Sequence, residues 1–282
     1  MLKSYAKLNI FLNIIGRENG FHLLESLFVY IDLYDELEIL PSKESRLDIS
    51  GAYAKELSDC LNVGGLSYWE NSIFTKVYNL FDRHYGLKDN FYIKLNKQIP
   101  IGAGLGGGSS NAACFLKYLL KFYDIKISLE DQYKLASEIG ADCAFFMQDR
   151  ARLVSGFGEQ IGPIIDIDPF NINLITPNIN SNTKLVFEYF KNSKAAFSQK
   201  LSIDAINSIK NKILTSKDLL NLSRKYGNDL FEVFMQINHS HKNPINKVLN
   251  ENKEMFLTGT GSCLYCYDAT KKMTIVKICD KI

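Results

Sequence analysis

No uninterrupted apolar run in the sequence approaches the ~18–20 residues that a helix needs to cross a bilayer, so no membrane span is expected. An excess of one charge is missing too. Lys and Arg number 33 against 31 Asp and Glu, and a formal net charge of +2 carries no broad electrostatic case for nucleic acid or a membrane surface. Six cysteines (Cys60, Cys114, Cys143, Cys263, Cys266 and Cys279) are dispersed, with no disulfide framework and no second pair at zinc spacing. Cys263 and Cys266 form one C-x-x-C in a strand-like run, where positions three apart point to opposite faces, so buried packing is expected. His239 and His241 have no acidic or cysteine partner nearby and are expected in a solvated loop. "LNIFLNII" carries two asparagines and lacks a small-residue cleavage site, which argues against a signal peptide and for the cytoplasm. Nor is there a repeat, a low-complexity tract or a Pro-rich linker, and nothing in the sequence reports on oligomeric state.

What is present is the composition of a globular protein, 46% hydrophobic and 23% charged over 282 residues, enough for one large or two modest domains. "YAKLNIFLNI" alternates as a strand, with Ala6, Leu8, Ile10, Leu12 and Ile14 on one face and Tyr5, Lys7, Asn9, Phe11 and Asn13 on the other. Asn19-Gly20 supplies a turn, and a second strand follows from Phe21. Residues 69–85 carry an apolar helical stripe (Ile73, Phe74, Val77, Tyr78, Phe81) closed by Gly86. A strand over "NFYIKLNKQI" leads to Pro100, a helix is expected from about Ser109 to Tyr123, and another runs from a Ser128 cap to Gly140. "ARLVSGFGEQIGPI" reads as a strand pair, "NDLFEVFMQI" as a helix, and "LTGTGSCLYCYD" with "MTIVKICD" as a final strand pair.

"IPIGAGLGGGSSNAA" places five glycines in the seven positions Gly102 to Gly108, between a strand and a helix. Such a run costs backbone entropy, so its order needs a reason. Backbone N–H groups approach an anion closely where no Cβ intervenes, and the first turn of the helix offers unpaired donors and a positive dipole end. The stretch is a phosphate cradle. It is not Walker A, because Ser109-Ser110 follows Gly108 where Lys-Ser or Lys-Thr is required. Gly102-Ala-Gly104-Leu-Gly106-Gly107 matches G-x-G-x-x-G and keeps a dinucleotide-binding oxidoreductase in view, yet Asp124 precedes its strand rather than ending it. No H-R-D…N or D-F-G set of a protein kinase follows.

"PIGAGLGGGSSNAA" resembles the second motif of the GHMP kinases, small-molecule kinases with a left-handed β-α-β unit around the phosphate loop. "AKLNIFLNI", "GFHLLESLF", "GADCAFF" and "LTGTGSC" narrow the likeness to the branch that phosphorylates the 2-hydroxyl of a cytidine diphosphate derivative of methylerythritol in non-mevalonate isoprenoid synthesis. Another GHMP kinase, of the homoserine or mevalonate type, is the alternative. The resemblance is nearly continuous over residues 5–160 and patchy beyond, returning at "NTKLVF" and "GNDLFEVF". It implies an α+β, two-domain GHMP kinase fold: an N-terminal domain like ribosomal protein S5 domain 2 over residues 1–154, a C-terminal α/β sandwich over residues 155–282, and an active site in the cleft between them.

The same likeness implies Asp142 as the base that takes the acceptor proton and Lys7 as its charged neighbour. ATP phosphates would rest on Pro100, Ile101, Gly102, Ala103, Gly104, Leu105, Gly106, Gly107, Gly108, Ser109 and Ser110, with Lys97 close by and Asn71 near the nucleoside. Asn9, Phe21, His22 and Phe187 would receive the cytosine end of the small-molecule substrate. Mg2+ is expected with ATP, and no acidic motif names its ligand. The sequence departs from the family pattern at three places. Tyr5 stands for proline before "AKLN", Phe21 for tyrosine before His22, and Cys143-Ala144 for valine-proline, the last expected to loosen the backbone carrying Asp142.

Overall fold

A computed structural model describes the chain except residues 178, 180, 193–195, 239–253 and 268–273, so His239 and His241 lie outside the described residues. Two compact units emerge. The first comprises Met1–Ala6, Leu33–Ile101 and Gly106–Gln148, the second Lys7–Asp32, Gly102–Leu105 and Asp149–Ile282. The second unit draws segments from both sides of residue 154, and the chain passes between the units more than once.

Two long strands, β1 (Leu2–Glu18) and β2 (Phe21–Ser42), are shared by the units along their length. In the first unit the last part of β2 runs antiparallel to β4 (Asn90–Asn96), with Leu37 opposite Leu95 and Ile39 opposite Ile93. β3 (Arg46–Ser50) lies parallel on the other side of β4. Helices α1 (Ala54–Leu61), α2 (Ile73–Tyr85), α3 (Gly107–Phe122) and α4 (Leu129–Ile139) complete it. α2 starts at Ile73, the first residue of its apolar stripe, and not at 69 as the expected range has it. Ser72 donates both its N–H and its hydroxyl to Trp69 O and accepts from Thr75 N, which makes 69–71 a turn and Ser72 the cap. Gly86, at φ 69°, ends the helix as expected. Phe74, Phe91 and Trp69 each meet the fully buried Phe115 ring of α3 edge-on. Burying a ring of this size stabilises the fold by about 1.5–3 kcal/mol. Ser128 caps α4 by accepting from Asp131 N at 3.1 Å, as its sequence predicts.

In the second unit Asn19 (φ 49°) and Gly20 (φ 85°) form the expected turn between β1 and β2. The half-polar face expected on β1 is not solvated, however: Lys7, Asn9 and Asn13 are only 3%, 1% and 4% exposed. Buried polar groups need partners. Asn13 Nδ2 donates to Tyr226 O at 2.8 Å, and Asp229 accepts Ile14 N at 2.7 Å. β5 (Arg152–Gly156) pairs antiparallel with β2 and with β6 (Gln160–Ile164), the expected hairpin. The expected final strand pair is corrected. β7 (Phe170–Ile175) lies between β9 (Leu264–Cys266) and β10 (Thr274–Cys279), and β9 pairs instead with the short β8 (Phe256–Leu257). The second unit also carries helices α5 (Thr183–Asn192), α6 (Ile203–Lys210), α7 (Ser216–Tyr226) and α8 (Phe231–Ile237), of which α5 packs on α8. One apolar cluster joins Leu12, Ile14 and Leu24 to Val186, Phe190, Leu230 and Val233. Cys263 and Cys266 are buried and unbridged, and among the described residues no helix is long and apolar enough to cross a membrane.

Candidate active site

In the first unit, β4 ends at Asn96 and Lys97, Gln98 and Ile99 lead to Pro100. A carboxylate on β2 holds this exit. Asp35 Oδ2 accepts from Lys97 Nζ at 2.5 Å, and Asp35 Oδ1 accepts from the backbone N–H groups of Gln98 (2.7 Å) and Ile99 (2.8 Å). Both partners of the ion pair are inaccessible to water, the side chains 4% and 0% exposed. Burial pushes the Lys97 ammonium below its ordinary value, and Asp35 opposes that shift.

Past the loop, Gly106 adopts φ 70° as the cap of α3 without any side-chain capping bond. Ser110 N–H closes the first helical bond onto Gly106 O at 2.9 Å. The amides before it lie in the first turn, whose donors have no intrahelical acceptor, at the positive end of a helix of 16 residues. Gly107 and Gly108 are already helical, so α3 begins two residues before its expected start. Ser110 is buried and its Oγ accepts from Ser4 Oγ at 2.7 Å, while Ser109 is half-buried.

Asp142 lies on a 3-10 turn, Ala141–Cys143, directly after Gly140 closes α4. Cys143 N–H donates to Gly140 O at 2.9 Å. The turn carrying Asp142 packs against α3. Burial pushes the Cys143 thiol up to about 12, with Ser109 opposing that shift, so it remains a neutral packing group. Ala144 holds φ −59°, the value a proline would impose, so the backbone keeps that conformation without one. Asn71 precedes the α2 cap, and its Nδ2 donates to Leu61 O and Val63 O, both at 2.8 Å.

In the second unit Lys7 N–H donates to Leu105 O at 3.0 Å, and its Nζ donates to Asn9 Oδ1 (2.6 Å) and Gly104 O (3.0 Å). The ammonium also sits 4.7 Å from the centre of the Phe28 ring, a cation–π contact. Asn9 is fully engaged: Nδ2 donates to Ser26 Oγ at 2.9 Å and its backbone N–H to Thr258 Oγ1 at 2.9 Å. The segment "TGTGSC" interlocks with Gly102–Leu105. A Cβ on Gly104 would lie 2.1 Å from Thr258 O, and one on Gly261 would lie 2.0 Å from Gly104 N. Cys263 N–H donates to Ala103 O, and Ser181 N–H to Gly102 O, both at 3.2 Å.

His22 and Phe187 come together as stacked rings, centroids 5.5 Å apart and planes 23° apart, with Phe190 meeting His22 edge-on at 5.4 Å. Burial, then the charges of Arg17 and Lys191, holds the imidazole below its ordinary value and therefore neutral at pH 7. Phe21 stands apart from this stack. It is 66% exposed and meets Phe157 instead. The residues missed by sequence reasoning are Asp35, Ser26, Thr258 and Phe190. Asp35 and Lys97 are 62 positions apart, and Asn9 and Thr258 are 249 apart, so no local spacing signals either pair.

Comparison with known proteins bears on the same residues. The family model of the GHMP kinases N terminal domain matches residues 72–150, which include Lys97, the glycine loop and Asp142. The chain is 30% identical over 279 residues to the 4-diphosphocytidyl-2-C-methyl-D-erythritol kinase of Pseudothermotoga lettingae, covering 95% of this chain and 92% of the relative. A crystal structure of 4-(cytidine 5'-diphospho)-2C-methyl-D-erythritol kinase matches with a TM-score of 0.67 at 26% identity, covering 94% of this chain and 88% of that one. A mevalonate kinase structure shares the fold at a TM-score of 0.60 and 16% identity, over 98% of each chain. The α+β fold is that of the GHMP kinases. The enzyme of the same name from Campylobacter jejuni subsp. jejuni serotype O:6 is 35% identical over 275 residues, which span 95% of this chain and all of the relative. With likeness of that extent along almost its whole length, the chain belongs to the 4-diphosphocytidyl-2-C-methyl-D-erythritol kinase family of the GHMP kinases.

Proposed function

We propose that this protein transfers the γ-phosphoryl group of ATP to the 2-hydroxyl of 4-diphosphocytidyl-2-C-methyl-D-erythritol, supplying the non-mevalonate route to isoprenoid precursors. One observation carries the reading. The uncapped N-terminus of α3 and the turn bearing Asp142, which packs on α3, lie in one unit, so that unit holds both unpaired helix donors for an anion and a carboxylate. In this reading the backbone of Pro100 to Ser110 receives the phosphates, and Lys97 backs the loop from within. Asn71 has committed its amide hydrogens to Leu61 O and Val63 O, leaving Oδ1 for a nucleoside.

The acceptor oxygen forms a bond to the γ-phosphorus, the bond to the ADP oxygen breaks, and the hydroxyl proton passes to Asp142. A carboxylate is a weak base, but fixed alignment of the reactants is worth about 7–11 kcal/mol of barrier. Lys7, tethered by Asn9 and Gly104 O, steadies the negative charge. Neutral His22 offers the cytosine edge one N–H donor and one acceptor, with Phe187 as the stacking surface beside it. Asn9, buried and fully hydrogen-bonded, and Phe21, exposed against Phe157, are not brought into this stack. Among the described residues no group of three or more His, Cys, Asp or Glu is arranged around a metal. Mg2+ in phosphoryl transfer is commonly held by substrate phosphates with one or two protein oxygens, and in this reading the Ser110 hydroxyl, buried and accepting from Ser4 Oγ, would supply one. The ion supplies neutralisation of charge on the phosphate oxygens.

The test is ADP release from MgATP with and without the cytidyl acceptor, for wild type and Asp142→Asn. Release should require the acceptor, and the variant should lose about 10²–10⁴ in kcat while still binding ATP. Turnover with mevalonate or homoserine and none with the cytidyl acceptor would overturn the assignment.

A further inference from the structure

We propose that Asp35 is a positioning residue for the nucleotide, acting through Lys97: its carboxylate anchors the buried ammonium against the first residue of α3, and nucleotide affinity depends on that charge. The inference rests on the proposed function only in taking the α3 N-terminus as the phosphate site. Asp35 is fully buried and its two oxygens take three donors: Lys97 Nζ, Gln98 N and Ile99 N. Each ties down the three residues that carry β4 into the glycine loop. The other end of the contact is Gly107, where a Cβ would lie 3.0 Å from Lys97 Nζ and 2.9 Å from Ile99 Cγ2. Asp35, Lys97, Ile99 and Gly107 therefore form one stack inside the first unit.

The charge of Asp35 matters because of where the ammonium sits. A cation beside the N-terminal end of a helix opposes the helix dipole, and a desolvated ammonium without a counter-charge is unfavourable. The Asp35 carboxylate resolves both conflicts at once. Asparagine at position 35 would keep an acceptor for the Gln98 and Ile99 amides and remove the counter-charge. Lys97 would then lose its proton or leave its place, and Gly107 would lose its support on that side.

ADP and ATP binding measured by calorimetry on wild type, Asp35→Asn, Lys97→Met and the double variant tests this. Asp35→Asn should weaken ADP at least about tenfold, ~1.4 kcal/mol. The double variant should bind no more weakly than Lys97→Met, and in turnover the loss should fall on KM for ATP more than on kcat. Unchanged or tighter ADP binding by folded Asp35→Asn, even with a lowered Tm, would overturn the inference, as would losses that multiply in the double variant. If Asp35→Asn does not fold, the double variant, which buries no lone charge, carries the comparison with Lys97→Met. A wild type that binds no adenine nucleotide would sink the proposed function itself, a result distinct from all of these.

Discussion

Gly104→Ala and Gly108→Ala should fail in opposite ways. Gly104 has φ 77°, and an added Cβ would lie 2.1 Å from Thr258 O and 3.0 Å from Gly261 N. Those neighbours are backbone, and a Cβ added at Gly261 would in turn lie 2.0 Å from Gly104 N, so neither side can swing away. The left-handed conformation costs an alanine about 1–2 kcal/mol and the overpacking about 1–3 kcal/mol. The reduced entropy of the unfolded chain returns only about 0.4–1 kcal/mol. A net loss of about 1–5 kcal/mol follows, or on the order of 2–8 °C in Tm for a chain of this size. Gly108 lies in the helical first turn of α3 with nothing within 4 Å of an added Cβ. Alanine there should leave Tm unchanged or raise it, since glycine in a helix is about 0.5–1 kcal/mol worse than alanine. The folded chain thus has no steric need for glycine at 108, but an approaching phosphate does. Thermal unfolding and ADP titration of both variants decide it. Gly104→Ala with wild-type Tm would refute the interlock with "TGTGSC". Gly108→Ala with wild-type Tm and wild-type ADP affinity would refute the α3 N-terminus as the phosphate site.

Two further outcomes follow from single side chains. His22 has a depressed pKa, so the folded state favours its neutral form, and its contribution to stability is complete above about pH 6.5 and declines as pH falls from there to the lowered value. The Tm advantage of wild type over His22→Gln should shrink over that window while KM for the cytidyl acceptor rises; a pH-independent difference would count against the buried imidazole. Thr215 caps α7 in a reciprocal box with Asp218, whose carboxyl is held at about 2 by Lys212 and then by Thr215. Thr215→Ala should lose about 1 kcal/mol with kcat unaltered. The cap's contribution is present above the ordinary carboxylate range and lost as pH falls toward about 2, which acid unfolding of wild type and variant would reveal.

Much of the framework was legible because its causes are local. Asn19-Gly20 closes the first hairpin, Ser128 and Asp131 start α4, and Gly86 stops α2, each through dihedral or hydrogen-bond chemistry complete within a few residues. The glycine run announced a strand–loop–helix turn for the same reason, and the start of α3 was missed by only two residues because Gly107 and Gly108 tolerate helical dihedrals. The stretch "LTGTGSC" was legible as a motif, but its contact with Gly104 was not.

What the sequence by itself determined was the order of elements, the phosphate cradle and the family likeness of the residues around it. Tertiary structure alone decided that the polar face of β1 is buried, that β7 separates β9 from β10, and that Asp35 holds Lys97. Periodicity reports which residues share a face of a strand, not what later covers that face. A buried polar side chain is stable only beside its partner, and for Lys97 and Asn9 the partners lie 62 and 249 positions away, where only the folded chain brings them together.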